Sequence, residues 1–313
     1  MNRPSWRRVD DHPGSGLAAV VLATTGFSAG FVIVKALPLE AGALSAWRLG
    51  IGGGALVVTA LLLRSPWPRS WTMPVAAGVA FGVHQLLFVL ATKQTSIAIV
   101  TLLGALQPLL VAMVSRRTLG ERVPRAVLGC AVLAVGGVAI VVGANLDDPS
   151  RSLTGDLFAI ANLIAFTAYF LCAKRARDTG APTLTLTATF MLVALAVVLP
   201  YALLRGESFA ATGVHGAMIV GLALIPGNGH LLLNWAHPRV SAALSSLALA
   251  AVPLLASIWA ALAFGEPYGP LHVVGMLLVA AAIELGRRAD RRARGLRSAR
   301  DGRPSPTPAR TPG

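Results

Sequence analysis

The sequence predicts an all-α polytopic membrane protein with ten transmembrane helices arranged as two inverted five-helix repeats. Three observations predict it. The chain is 55% hydrophobic and only 13% charged, with a mean hydropathy of +0.69, whereas a soluble domain carries about a quarter charged residues. Ten apolar stretches have the roughly 20 residues that a helix needs to cross a hydrocarbon core. The chain also matches itself after a shift of 145 residues, and each copy then holds an odd number of spans.

The spans are expected near 16–36, 42–63, 74–92, 96–115, 126–144, 155–173, 183–204, 215–236, 241–264 and 270–288. Turn formers sit between them, among them Pro38, Pro66, Pro124, Asp147, Gly180, Gly206 and Pro238. The first stretch follows Arg3, Arg7 and Arg8 but is too long for a signal-peptide core and shows no clear cleavage site. It is read as a retained first helix. The chain then divides into a cytoplasmic segment at 1–15, a first repeat at 16–144, a second, inverted repeat at 155–288, and a basic disordered cytoplasmic tail at 289–313.

Positive charge sets the orientation. With the N-terminus in the cytoplasm, 22 of the 27 Lys and Arg residues fall on the inner side and four on the outer, with Arg48 left inside a span. Both termini are therefore expected on the cytoplasmic face of the cell membrane. The net charge of +14 lies in short loops and the tail, beside anionic lipid. It does not form a basic patch for nucleic acid, so no nucleic-acid partner is expected. Cys130 and Cys172 lie far apart within apolar segments, which suits packing and offers neither a disulfide framework nor a metal site.

The repeat aligns Ser96–Glu121 with Ser241–Glu266 without a gap, nine of 26 pairs being identical. Matches such as Pro108/Pro253, Gly120/Gly265 and Glu121/Glu266 carry more weight than Ala or Leu pairs in so apolar a chain. A shift of 139 places Gly16, Phe27, Phe31 and Lys35 on Gly155, Phe166, Phe170 and Lys174. Five spans per copy is odd, so the second copy must enter the membrane with reversed polarity. Inverted repeats are a recurring transporter device, with the substrate at the midplane between them. A duplication without moving parts is the alternative.

On these residues the chain resembles the EamA branch of the drug/metabolite transporter superfamily, over about residues 16–289. The resemblance rests on the five-plus-five spans, on Pro108–Arg122 and Val252–Pro267, on the Leu44–Leu49 segment with its Arg, and on His230–Ala236. It implies an exporter of amino acids or other small metabolites, with proton or ion coupling and no cofactor.

Polar groups in hydrocarbon are costly, so their positions nominate a substrate cavity. Arg48 can hold a carboxylate by paired hydrogen bonds, or snorkel to the interface. His230 and Asn234 are spaced i, i+4 and share a helix face. The 145-residue shift lays Gln85 on His230, while His84 is expected to point elsewhere. His230 is also the candidate proton carrier. Trp47, Tyr169 and Trp235 are candidate aromatic walls; Gln107 and Asn162 are further polar candidates, with helix packing as their alternative. Pro226, Gly227 and Asn228 interrupt the eighth span and can expose backbone groups to a ligand; a simple kink is the alternative. Pro108 and Pro253 each remove a backbone hydrogen bond and offer bend points. Glu121 and Glu266 follow glycines at helix ends and are expected to fix loops. The G-x-x-x-G pairs, such as Gly78/Gly82, suit close packing within one chain.

An intramembrane enzyme would need a nucleophile–base or carboxylate pair in the core, and no such pattern stands in the spans. No P-loop appears for direct ATP drive. A small-molecule substrate and the bilayer are the expected partners. A non-transporting scaffold or lipid-handling protein is the competing reading.

Overall fold

The computed structural model describes residues 14–121, 123–143, 152–211, 213–264 and 269–300. Helices α1 (Ser15–Ala36), α2 (Ala41–Leu62) and α3 (Thr72–Gln94) each run unbroken. The fourth span is split into α4 (Ile97–Gly104) and α5 (Gln107–Thr118), and α6 (Arg125–Gly143) completes the first half. Helices α7 (Leu153–Asp178) and α8 (Thr183–Leu204) open the second half. A split eighth span follows as α9 (Gly213–Leu224) and α10 (Pro226–Ala236), then a split ninth as α11 (Ala242–Leu249) and α12 (Val252–Phe264), then α13 (Pro270–Arg300). Among the described residues, nine of these segments are long and apolar enough to cross a membrane, and α6 is a further apolar helix. Leu22, Leu62, Leu262 and Leu277 are each at least 63% exposed, which suits lipid rather than water as their neighbour.

The breaks follow from proline chemistry. Pro108 has no N–H to give to Gly104 O, and its ring crowds that carbonyl. The turn before it tightens, so that the Ala105 N–H donates to both Thr101 O (2.9 Å) and Leu102 O (3.1 Å). The same arrangement recurs 145 residues later. There the Ala250 N–H donates to Ser246 O and Leu247 O, both at 3.2 Å, ahead of Pro253. Pro226 opens α10, where the missing N–H costs nothing. Serines start three of the helices: Ser96, Ser152 and Ser241 accept from the N–H groups of Ile99, Gly155 and Leu244 at 3.2, 3.1 and 3.2 Å.

One expectation fails at the C-terminus. Helix α13 continues past 288 to Arg300, so the first part of the expected disordered tail is helical. Ala and Arg are strong helix formers, and Glu284 pairs with Arg287 (2.6 Å) and Arg288 (2.7 Å) a turn ahead. Residues 301–313, like Glu266, lie outside the described residues.

Helix α1 packs along α10 and α12, while α7 packs along α3 and α4. Helix α2 packs on α8, and α6 on α13. Gly78 and Gly82 let α3 meet α8 closely: a Cβ on Gly82 would stand 2.9 Å from Ala194 O. Helices α1 and α7 stretch between the same two junctions. At one junction, a Cβ on Gly16 would stand 2.6 Å from Val240, and Lys174 Nζ donates to His237 O (2.7 Å) and Val240 O (3.2 Å). At the other, a Cβ on Gly155 would stand 2.6 Å from the Gln94 backbone, and Lys35 Nζ donates to Thr92 O (3.2 Å) and Thr95 O (3.3 Å). Each helix starts where the other ends, so the two run in opposite directions. Lys174 also pairs with Glu121 and Asp178, each at 3.2 Å, and Glu121 accepts from the Ala242 N–H at 2.9 Å.

Gly155→Val would force α7 away from the 94–95 junction, at a cost of about 1–3 kcal/mol. Gly129 has open space where a Cβ would go. The melting temperature in detergent should therefore fall for Gly155→Val and hold for Gly129→Val; equal melting would contradict the close packing at Gly155.

Candidate functional site

The broken spans meet at a central cavity with about 680 Å³ of empty space, its open mouth included. Val100, Thr101, Gly104, Ala105 and Gln107 of the fourth span line it, and Leu249, Val252 and Pro253 of the ninth line it too. Both proline breaks thus border the same space.

Arg48 of α2 lines this cavity and is 6% exposed. Its Nη1 donates to Gln85 Oε1 at 2.9 Å, and its Cζ lies 5.8 Å from the centroid of the Phe88 ring. Ser45 Oγ donates to Gln85 O at 3.3 Å, which ties α2 to α3 one turn away. The guanidinium therefore points into the protein, and the interfacial alternative is set aside. Among the described residues, no carboxylate lies within ion-pair distance of it.

His230 of α10 also lines the cavity. Its Nδ1 is 3.1 Å from the Tyr169 hydroxyl, and its ring lies 4.5 Å from Phe27 and 4.5 Å from Phe81 between centroids. Gly229 makes room for this, because a Cβ there would stand 2.8 Å from Phe27 Cε1. His84 Nδ1, also on the lining, lies 2.6 Å from Asn162 Oδ1, and the His84 ring is 4.7 Å from Phe166.

The structure brings together Arg48, Gln107, Asn162 and His230 on the cavity wall. It reverses the expected roles of two neighbours on α3: His84 lines the cavity, while Gln85 stands behind Arg48 and is fully buried. Successive helical residues point about 100° apart, and the choice between them depended on which helix lies where.

The other candidates stand away from the lining. Asn234 is fully buried against α8, where its Nδ2 donates to Thr187 Oγ1 at 3.0 Å. Four residues turn a helix about 40° past a full circle, enough to miss this wall. Tyr169 is fully buried beneath His230. Trp47 is 39% exposed and donates from Nε1 to Phe209 O at 3.0 Å. Trp235 carries the Arg239 guanidinium 3.8 Å above its ring. Asn228 is half-buried, with Oδ1 unpartnered. Pro226 and Gly227 are buried at the helix break, where Gly30 of α1 comes against Pro226.

Sequence reasoning missed the aromatic wall of Phe27, Phe31, Phe88 and Phe166. A signal for it existed, since the 139-residue shift superposes Phe27 on Phe166, and each stacks on a histidine.

A multi-pass helical membrane protein whose broken helices surround a cavity with polar groups has the build of a small-molecule transporter. The chain belongs to the EamA-like transporter family, whose sequence model matches residues 14–143 and again 153–285. It is 26% identical over 278 residues to "Uncharacterized transporter YwfM" of Bacillus subtilis (strain 168), covering 85% of this chain and 92% of that one. It is 27% identical over 249 residues to the "Probable terminal-alkyne amino-acid exporter" of Streptantibioticus cattleyicolor, covering 77% and 82%. A protein crystal structure 21% identical to it superposes with a TM-score of 0.73 over 88% of this chain and 97% of that chain, a likeness of fold.

Asn162→Leu should leave His84 Nδ1 buried without its partner and cost about 1–3 kcal/mol. Adding His84→Phe should recover part of that loss, because removing both partners is cheaper than stranding one. Melting curves of the single and double variants check this; additive losses would mean that the two side chains are uncoupled.

Proposed function

We propose that the protein is a secondary transporter that exports a small metabolite bearing a carboxylate, such as an amino acid or an analogue. It works by alternating access at the central cavity between two inverted five-helix repeats. The observation that carries this reading is Arg48, a buried cation on the cavity wall with no carboxylate partner among the described residues. A carboxylate entering the cavity offers the guanidinium paired hydrogen bonds and neutralises a charge that is expensive to bury alone.

Several features support the inversion. The opposed runs of α1 and α7, the matched lysines at their ends, and the paired breaks before Pro108 and Pro253 all fit halves that exchange roles. With both termini in the cytoplasm, Lys174 and Glu121 fasten the inner junction and Lys35 the outer one. Opening one junction while the other stays fastened is alternating access. His230 is the proposed proton carrier, with Tyr169 as its buried partner. The description of the Streptantibioticus relative agrees with a carboxylate-bearing cargo.

Reporter fusions after residues 120 and 265 should report opposite sides of the membrane; the same side for both would end the inverted-repeat reading. Cells overproducing the protein should release a carboxylate-bearing metabolite, and Arg48→Gln should cut that release about ten-fold or more at equal protein level, the loss of a charge-assisted pair. In the same assay, His230→Gln should flatten the pH dependence of release. An unchanged release by Arg48→Gln would remove the arginine from the site, and an unchanged pH profile would remove the histidine from proton coupling.

A further inference from the structure

The cavity wall is lopsided in charge. Among the described residues, Arg48 is the one lining side chain charged at every working pH, and no Asp or Glu lines the space. The other polar groups are mostly engaged. His84 and Asn162 hold each other, and His230 is held by Tyr169. Gln107 is 1% exposed, and its Nε2 has no partner. The remaining wall is largely aromatic and aliphatic.

A molecule with one carboxylate and an apolar body matches this wall. Its carboxylate would face Arg48, and the complex would be neutral. Its body would lie on the phenylalanines, and the free Gln107 amide could donate to an oxygen beside the carboxylate. A zwitterion matches less well. Its ammonium would leave water for a wall with no carboxylate to receive it, within the field of a guanidinium, and that desolvation goes uncompensated.

We propose that the preferred substrate class is the small apolar monocarboxylate without a free amine, of the 2-oxo-acid or N-acyl-amino-acid type. Such anions are bound ahead of the zwitterionic amino acid with the same side chain. This rests on the transport function proposed above. Gln85 is the positioning residue: its Oε1 fixes the guanidinium without neutralising it. A carboxylate of the same reach in its place would pair with Arg48 from within and remove the preference for anions.

The test uses the full-length chain in proteoliposomes with labelled leucine and labelled 4-methyl-2-oxopentanoate, which share a side chain and differ at the amine. The oxo acid should enter with an apparent affinity about ten-fold or more above that of leucine, the ratio that 1.4 kcal/mol produces. Unlabelled N-acetylleucine should compete with it. Gln85→Glu should bring the ratio of the two substrates to about one. Gln85→Met should weaken the KM for the oxo acid while keeping the ratio, because the cation remains but is no longer oriented. Leucine carried as well as the oxo acid, or better, would overturn the proposal and leave the transport function standing. If neither carboxylate is carried, both readings fall. A ratio unchanged in Gln85→Glu would overturn the role given to the Arg48 charge, and the wild-type comparison decides the substrate class even if that variant does not fold.

Discussion

Hydrocarbon offers a peptide group no hydrogen bond, and this constraint organises the molecule. A span can be interrupted only where protein or a polar cavity receives the backbone groups set free. All three interruptions obey it. The fourth and ninth spans break against the central cavity, and the eighth breaks against α1, where Gly26 and Gly30 bring the two backbones together. The side chains obey the same rule. The ammonium groups of Lys35 and Lys174 are met by carbonyls at helix ends and junctions, and that of Lys174 also by Glu121 and Asp178. The guanidinium of Arg48 would cost about 2.5–3.5 kcal/mol at the centre of a bare helix. Here an amide oxygen and an aromatic face meet it in part, and under the proposed function the carboxylate of the cargo meets the rest.

Much of this was legible in the residues themselves. Apolar runs separated by prolines and glycines mark the spans, because burial in lipid leaves no freedom to hide polar residues. The shared Pro-Leu-Leu and Gly-Glu segments mark the duplication. The site was legible only in part. Arg48, Gln107, Asn162 and His230 stand out because a polar side chain in an apolar run must have a use. Trp47 and Trp235 stand out for the same reason, yet they serve loop carbonyls and a loop arginine instead. The residue type shows that a side chain needs a partner; which neighbour supplies one depends on helix rotation. The exchange of His84 and Gln85 is that uncertainty at its smallest, a single step along α3.

The aromatic wall was only faintly legible, through the match of Phe27 with Phe166, for the opposite reason. A phenylalanine in an apolar helix is equally at home against lipid, a neighbouring helix or a cavity. Phe27 and Phe166 acquire meaning only through the histidines they stack on, and those contacts cross from one half of the chain to the other. The cavity is therefore a joint product. One half contributes Arg48 and His84, the other His230 and Asn162, and neither half builds the site alone.

Three seams in the bundle join spans that hold the same place in the two halves. Helix α2 lies against α8, α6 against α13, and the fourth span against the ninth, α5 meeting α11 and α4 meeting α12. Under the proposed inversion, elements that meet their own counterparts straddle the axis relating the two copies, as at the centre of an isologous dimer. Under the proposed exchange of conformations, points on that axis are not displaced. The α2–α8, α6–α13 and fourth–ninth seams would then act as fulcrums, with α1 and α7 as the arms that swing.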